Sequence, residues 1–596
     1  MKALERKTRF ISLFFFLLMA VALWGQTEDS FLTYCEQSGY IKTPRYAETV
    51  AFCERLAQAS PLAHYTTFGK SPQGRDLPLL IVDKDGLFTP REVRKTDKVV
   101  MLVEACIHSG EPDGKDAGLI FLRDLLVHHK HTEILDHVTL LFIPIFNVDG
   151  HENFSALNRI NQNGPQELGS RVTAQNINLN RDFIKGDAPE MQHWLHLYHE
   201  WLPELFIDIH VTDGADFQYV STYGIETDNQ NMEPVIRKWA KEVFEKEFQE
   251  QMAAIDLPVF PYFEPFSWNN VDAGLVRQSY PPQYSNGYAA AMNRVGLLIE
   301  NHIYKPYEQR VKATYEMLRI CGQLLNREYD NLKKSIASSD QTVASTAFRV
   351  APMPLDFQTS RTDSVMVDFL GWAKKTIQSD LSGAPWTLFD YDNPITLRLG
   401  YYTVPQAQHA VSLPDAYIIK PECTDAIAIL DRHHIPYSRL EEGAAMLVET
   451  YRFTKIQFAQ RQYEGRITLS AEYTTQNEQV FYPKGSVLVS MNQFRARVIA
   501  HLLEPDSPTS LLYWGYFTPW CQPASEFYIN LGYMEVKGRE MLALDAGLRQ
   551  VFENKKATDS QFANDPQAIL QFFMTELRKN VEPSNNLYPV GRIFYR

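Results

Sequence analysis

The chain has 596 residues, too many for one hydrophobic core, so two or three domains are expected. Hydrophobic residues make up 45% and charged residues 22%, an ordinary globular composition, and six cysteines in this length are not a disulfide scaffold. A net charge of −14 argues against nucleic acid as a partner, because phosphate binding needs a basic surface.

The first stretch, "MKALERKTRF", carries Lys2, Arg6, Lys7 and Arg9, and "ISLFFFLLMAVAL" then runs apolar for 13 residues before "WGQ". A basic segment, a short apolar run and a small residue are the pattern of a secretory signal peptide, expected over residues 1–25. The run falls short of the ~20 residues that span a bilayer. No later segment is long and apolar enough to span. A secreted or periplasmic protein without stable membrane insertion is expected. Cys35 and Cys53 follow, and no spacing rule decides whether they pair.

Residues 27 to about 65 look helical, and "TTFGKSPQGRDLPLLIV" reads as two strands around a Gly-rich turn. Strand candidates then alternate with amphipathic helices. "KVVMLVEACI" precedes "KDAGLIFLRDLLVHH", whose Leu119, Leu122, Leu125 and Leu126 sit at helical spacing. "VTLLFIPIF", "ELFIDI" and "VGLLI" are further strands, with the helix candidate "APEMQHWLHLYHEWL" before the second and a long helix after the third. Nearly continuous apolar strands separated by helices predict an α/β fold, with both faces of the sheet covered. The Ser/Thr/Ala-rich tract at 336–348 is read as a linker. Beyond it, residues 349–596 alternate as hairpins around a small βαβ-like unit, so an accessory, mixed and partly β-rich region is expected.

Four strand ends carry groups capable of chemistry. His108, with Glu111 three residues on, ends one; "NVDG" at 147–150 ends the next; His210 and Glu300 end the others. In α/β sheets the ligand crevice lies outside the carboxyl ends of the strands, so one sheet edge can gather residues far apart in the chain. Two imidazoles and a carboxylate form a catalytic zinc set, leaving a fourth position for water. His108, Glu111 and His210 are therefore the expected metal ligands, and Glu300 is a free carboxylate placed to take a proton. "SRVTAQNINLNRDF" adds the cations Arg171 and Arg181, with the amide of Asn180 beside them. One suits a carbonyl oxygen gaining negative charge, and a planar guanidinium suits a terminal carboxylate. His193, His196 and His199 recur along the helix candidate and are read as a solvated face. Cys106 is read as a core residue.

On these residues the sequence resembles the zinc carboxypeptidase family. "HSGE" matches the family's "HxxE", "NVDG" its "NPDG" turn, "NLNRDF" its "NR" pair, "FIDIH" its third ligand strand, "LLIE" its catalytic glutamate, and "GKSPQGR" its early "GxSxxGR". The resemblance covers roughly residues 40 to 330. It implies a three-layer α/β/α catalytic domain with a mixed central sheet over residues 27–335. It also implies a zinc cofactor and substrates that are peptide or protein C-termini. The implied roles are zinc ligation by His108, Glu111 and His210, general base for Glu300, oxyanion stabilisation by Arg171, and terminal carboxylate binding by Asn180 and Arg181. Two departures stand out: Asn178 occupies a position where many members carry an aspartate that orients a ligand histidine, and Val148 replaces the proline of the turn. Tyr280, Tyr284 and Tyr288 are all candidates for the tyrosine that closes on substrate. Two other readings remain: an amidase or peptidase on cell-wall peptides, and a metal- or peptide-binding module whose catalysis has decayed.

Overall fold

In the computed structural model the described residues are 31–212, 214–267, 271–521, 531–581 and 586–595. The stretch read as a signal peptide lies outside them. No helix among the described residues is long and apolar enough to cross a membrane. The chain forms two compact units. The first runs to Leu413 and takes in Ala428–Pro436 and Met491–Ser510; the second holds Pro414–Ile427, Tyr437–Ser490 and Leu511–Arg596.

The first unit is built on an eight-stranded mixed sheet. Its strands are β1 (Ala63–Lys70), β2 (Asp76–Val82), β3 (Val99–Ala105), β4 (Val138–Ile143), β5 (Leu205–Thr212), β6 (Ser221–Gly224) and β7 (Phe260–Pro261); two short strands outside this sheet, β8 (Glu264–Pro265) and β9 (Leu275–Val276), precede its last member, β10 (Val295–His302). The order is β1-β2-β4-β3-β5-β10-β6-β7. The central strands β4, β3, β5 and β10 run parallel, β1 and β2 pair antiparallel with their neighbours, and β6 runs antiparallel to β10 and parallel to β7. This is the α/β sheet the apolar runs predict, with the mixed strand directions that the family resemblance implies. Every residue of β3 is buried, as a strand covered on both faces requires.

Alternation along the strands sorts the two faces. Val99, Met101 and Val103 of β3, Leu205, Ile207 and Ile209 of β5, and Val295, Leu297 and Ile299 of β10 share one core with helices Tyr46–Ala59, Asp113–Leu126 and Tyr307–Val343. The opposite face of β5 packs Phe206 against Phe183, Trp194 and Tyr198, the last two from helix Pro189–Trp201. Helix Ser285–Ala291 closes on the same side. There a Cβ at Gly296 would stand 2.8 Å from the Asn286 Cα, so only glycine lets the helix lie that close to β10.

Two sequence expectations change. The tract read as a linker is mostly helix, because Tyr307–Val343 runs unbroken into it and ends only at Val343. Its buried residues Ile336, Ser339 and Val343 continue the helical spacing, and serine and alanine do not interrupt it. The first unit also extends well past it, adding a hairpin of Ser364–Gln378 and Pro385–Tyr402 that joins the sheet of β9 and β8. The second unit is centred on a six-stranded sheet that includes the long hairpin Ala444–Phe458 and Leu469–Tyr482. Strands Ala416–Ile419 and Ser438–Arg439 both pair antiparallel with Val487–Ser490, so they run parallel with one strand between them. All six cysteines are buried and unpaired, including Cys35 and Cys53.

Candidate metal centre

The turn after β3 explains the opening motif. The strand stops at Ala105, and Cys106 turns the chain at φ +60° with its side chain in a small apolar cluster beside Leu77 and Val148. His108 then reaches over the carboxyl edge of the sheet. The Glu111 backbone N–H donates to the His108 carbonyl at 2.9 Å, so the two side chains rise from one turn. Gly110 sits between them because a Cβ there would lie 2.6 Å from Arg159 Cδ and 3.0 Å from the Gly169 carbonyl.

His108, Glu111 and His210 converge, and one ligand atom from each lies within 4.8 Å of the others. His210 Nδ1 is 3.1 Å from His108 Nδ1 and 3.0 Å from Glu111 Oε2, and His108 Nδ1 is 3.2 Å from Glu111 Oε1. The far side of each ring is engaged. His108 Nε2 lies 3.0 Å from Asn178 Oδ1, and that oxygen also accepts from the Asn180 backbone N–H. His210 Nε2 lies 2.8 Å from Asp208 Oδ2. Each Nε2–H therefore donates outward, leaving both Nδ1 lone pairs aimed inward. Two imidazole nitrogens 3.1 Å apart beside a carboxylate need a proton or a cation between them, and the donor set fits a divalent metal.

The electrostatics agree with this. Burial pushes the His108 pKa down to about 4, so the ring is neutral and able to ligate. Burial disfavours charge on Glu111 too, but His108 and Arg159 outweigh it and hold the carboxyl well below the usual range. At His210 burial is outweighed by Asp208 and Glu111, which draw the ring well above the ordinary imidazole value. The negative field that would hold a proton there is the field that holds a cation.

Glu300 stands beside His210, since the two are register partners across β10 and β5. Its side chain is partly buried and faces the same pocket of about 290 Å³. Lys305 and Arg310, the first cations after it in the chain, are engaged elsewhere. Lys305 donates to Asp216 at 2.9 Å and Arg310 to Asp113 at 2.8 Å. Among the described residues no ion pair engages Glu300. Burial pushes its carboxyl up to about 8, with Glu111 and Asp208 adding to the rise and His210 opposing it.

Arg171, Asn180 and Arg181 line the pocket as well. Arg171 is half exposed, with Nη1 3.2 Å from His108 Nδ1 and 3.7 Å from Glu111 Oε1. The Asn180 Oδ1 is buried and finds no partner in the protein. The Arg181 guanidinium sits over the Tyr284 ring, 4.3 Å from its centroid. Tyr280 and Tyr284 both line the pocket. Tyr288 does not: it is fully buried and bonds His199 at 2.9 Å and His433 at 2.7 Å. The same network corrects the reading of His199, which is 3% exposed rather than part of a solvated face.

Three groups escaped the sequence reading. Asp208, two residues before His210 on β5, returns to the same face of the strand. Glu104, its register partner on β3, lies buried beside it. Arg159 donates to Glu111 Oε1 at 2.7 Å and to the Val211 carbonyl at 2.9 Å, and no motif marks it. The remaining motif residues are structural. Ser71 and Arg75 of "GKSPQGR" both donate to Asp149 of "NVDG", at 2.8 and 2.7 Å, which ties the first hairpin to the turn under the site.

Comparison with known proteins bears on this geometry. The family model described as "Zinc carboxypeptidase" matches residues 49–200, a span that includes His108, Glu111, Arg171, Asn180 and Arg181 and stops short of His210 and Glu300. The chain is 24% identical over 494 residues to Carboxypeptidase 2 of Trichophyton tonsurans, covering 79% of this chain and 84% of that one. It is 23% identical over 487 residues to Carboxypeptidase 2 of Trichophyton rubrum, with the same shares. Among solved structures it is similar to a metallo-carboxypeptidase from Burkholderia cenocepacia, with 16% identity, a TM-score of 0.36, and 47% of this chain and 69% of that one covered. Residues 49–200 thus match the zinc carboxypeptidase family, and these likenesses support a hydrolase of the metallocarboxypeptidase class.

Proposed function

We propose that the first unit hydrolyses the last peptide bond of peptides and proteins with one zinc ion held by His108, Glu111 and His210. The observation that carries this reading is the convergence of those three donors with Glu300 one strand away and unpaired. Zinc bound there would supply Lewis acidity, acidifying water and polarising the scissile carbonyl.

The protein's own groups do the rest. Glu300, as a carboxylate, takes the proton of the attacking water and delivers it to the leaving amine. Arg181, fixed against Tyr284, receives the substrate's terminal carboxylate side-on, and Asn180 donates beside it. Arg171 balances charge on the carbonyl oxygen, and Arg159 holds Glu111 in its ligating position. Asp208 and Asn178 keep the two imidazoles in the tautomer that ligates. The amino-terminal basic and apolar segments support export as the setting for this activity. The second unit is assigned an accessory role.

The test is metal analysis of the purified protein with a panel of peptides that differ in the C-terminal residue. Stoichiometric zinc with stepwise C-terminal release is expected. Zinc-loaded protein that leaves every peptide intact, or that cleaves only muropeptides, overturns the reading.

A further inference from the structure

A second cavity, of about 560 Å³, adjoins the candidate metal centre, and Thr212, Tyr262 and Glu264 line both. Its size falls among those of ligand sites, about 300–1,000 Å³. The register of the sheet shows how the two connect. His210, Glu300 and Thr222 stand in one row across β5, β10 and β6, and Thr222 lines the larger cavity. Two residues beyond His210 on β5, Thr212 returns to the same face and lines it too. The cavity therefore begins one strand past the candidate base.

Its far wall is the hairpin of residues 364–402. The hairpin is pinned there: Gln218 Nε2 donates to the Gly371 carbonyl at 2.6 Å and to the Ile395 carbonyl at 3.0 Å. The register between its strands slips after Trp372, a bulge of the kind that redirects side chains beside functional sites. Phe217 and Phe369 form a buried aromatic floor, and the partly buried Phe263, Trp372 and Phe389 complete the lining. The Trp372 indole N–H is buried and donates to nothing in the protein. Charges in the cavity are already engaged. Lys305 pairs with Asp216 at 2.9 Å, Lys374 with Asp272 at 2.7 Å, and Gln278 donates to Glu264 at 3.0 Å.

Resting on the function proposed above, we infer that this cavity binds the stretch of the peptide substrate upstream of the scissile bond and selects large apolar or aromatic side chains there. A chain whose terminal residue is held at Arg181 leaves the scissile bond through the opening continuous with the reacting centre. Aromatic walls whose charged groups are ion-paired or hydrogen-bonded favour apolar side chains, and the Trp372 N–H offers a donor to a backbone carbonyl of the bound peptide.

The experiment compares three substrates with identical C-terminal residues: a blocked dipeptide, an octapeptide with Phe and Leu upstream, and an octapeptide with Gly and Ser upstream. The wild-type enzyme is expected to favour the Phe/Leu octapeptide over the Gly/Ser one by about tenfold in kcat/KM, and Trp372→Ala and Phe389→Ala to erase most of that ratio. The blocked dipeptide, measured on each preparation, normalises for correctly folded enzyme. Trp372→Phe keeps the ring and is expected to retain part of the preference. Equal wild-type rates on the two octapeptides overturn the inference whatever the variants do, as does an unchanged ratio in both alanine variants. Wild-type protein that cleaves none of the three overturns the carboxypeptidase reading itself, and this inference with it.

Discussion

Glu300 and His210 hold the same register position on adjacent parallel strands, so their side chains emerge side by side on one face of the sheet. A rigid ladder, rather than a loop, therefore sets the distance from the candidate base to the metal donors. General bases placed this way contribute by geometry first and by pKa second.

Replacing that base while keeping its shape separates binding from turnover. Glu300→Gln is expected to lower kcat by at least about 10²–10⁴-fold while zinc content stays at one per chain. Wild-type rates in the variant would remove Glu300 from the mechanism. Lost zinc would make it a structural residue.

The pH profile carries a sign. As the proposed base Glu300 works as a carboxylate, so kcat/KM is expected to rise with pH through its pKa. Burial lifts that carboxyl to about 8 in the protein alone, and a bound cation draws it back down. The acid limb is expected to have its midpoint between the ordinary glutamate value of about 4.3 and that limit. A limb at or below the ordinary value would mean that burial does not tune this group.

Metal removal should be felt in stability as well as rate. With the cation gone, His108 Nδ1 and His210 Nδ1 face each other at 3.1 Å beside Glu111. Dialysis against a chelator is expected to abolish activity and lower Tm, with both restored by zinc, since a ligand present at 100 times its Kd stabilises by about 2.7 kcal/mol. A thermal transition indifferent to chelator and zinc would argue against ligation.

Asp208 provides a test of the partners behind the donors. Its carboxylate lies 2.8 Å from His210 Nε2, so Asp208→Asn removes the charge and keeps the shape. Zinc affinity is expected to fall by about 10–100-fold, read by competition with a chelating dye. An unchanged affinity would reduce Asp208 to packing.

The scaffold has its own weak point. Arg310 and Asp113 are both fully buried, and Arg310 also donates to the Gly164 carbonyl at 2.8 Å, joining the long helix to the segment that follows "HSGE". Arg310→Ala leaves an unpaired buried carboxylate and is expected to cost about 3–5 kcal/mol in denaturant unfolding. A loss below about 1 kcal/mol would show that water replaces the guanidinium.

Much of this protein is legible in the order of its residues. Apolar runs of strand length, three of them closing on a histidine or glutamate, announce a covered sheet with chemistry at its carboxyl edge, because strand period is a local property. The pair His108 and Glu111 shares one turn, so its spacing alone suffices. Other features depend on which strands become neighbours. Asp208 reads as one more strand residue until β5 places it behind His210, and Arg159 looks like a loop charge until folding sets it against Glu111. Tyr288 matches Tyr280 and Tyr284 by position, yet packing turns it inward to His199 and His433. The serine-rich tract at 336–348 reads as a linker by composition, whereas the buried positions of one long helix run through it. Composition and period act over a few residues, and the partners of a buried polar group come from segments far away in the chain. Local pattern thus decides the fold class and the candidate ligands, while long-range packing decides what holds those ligands and where a substrate can lie.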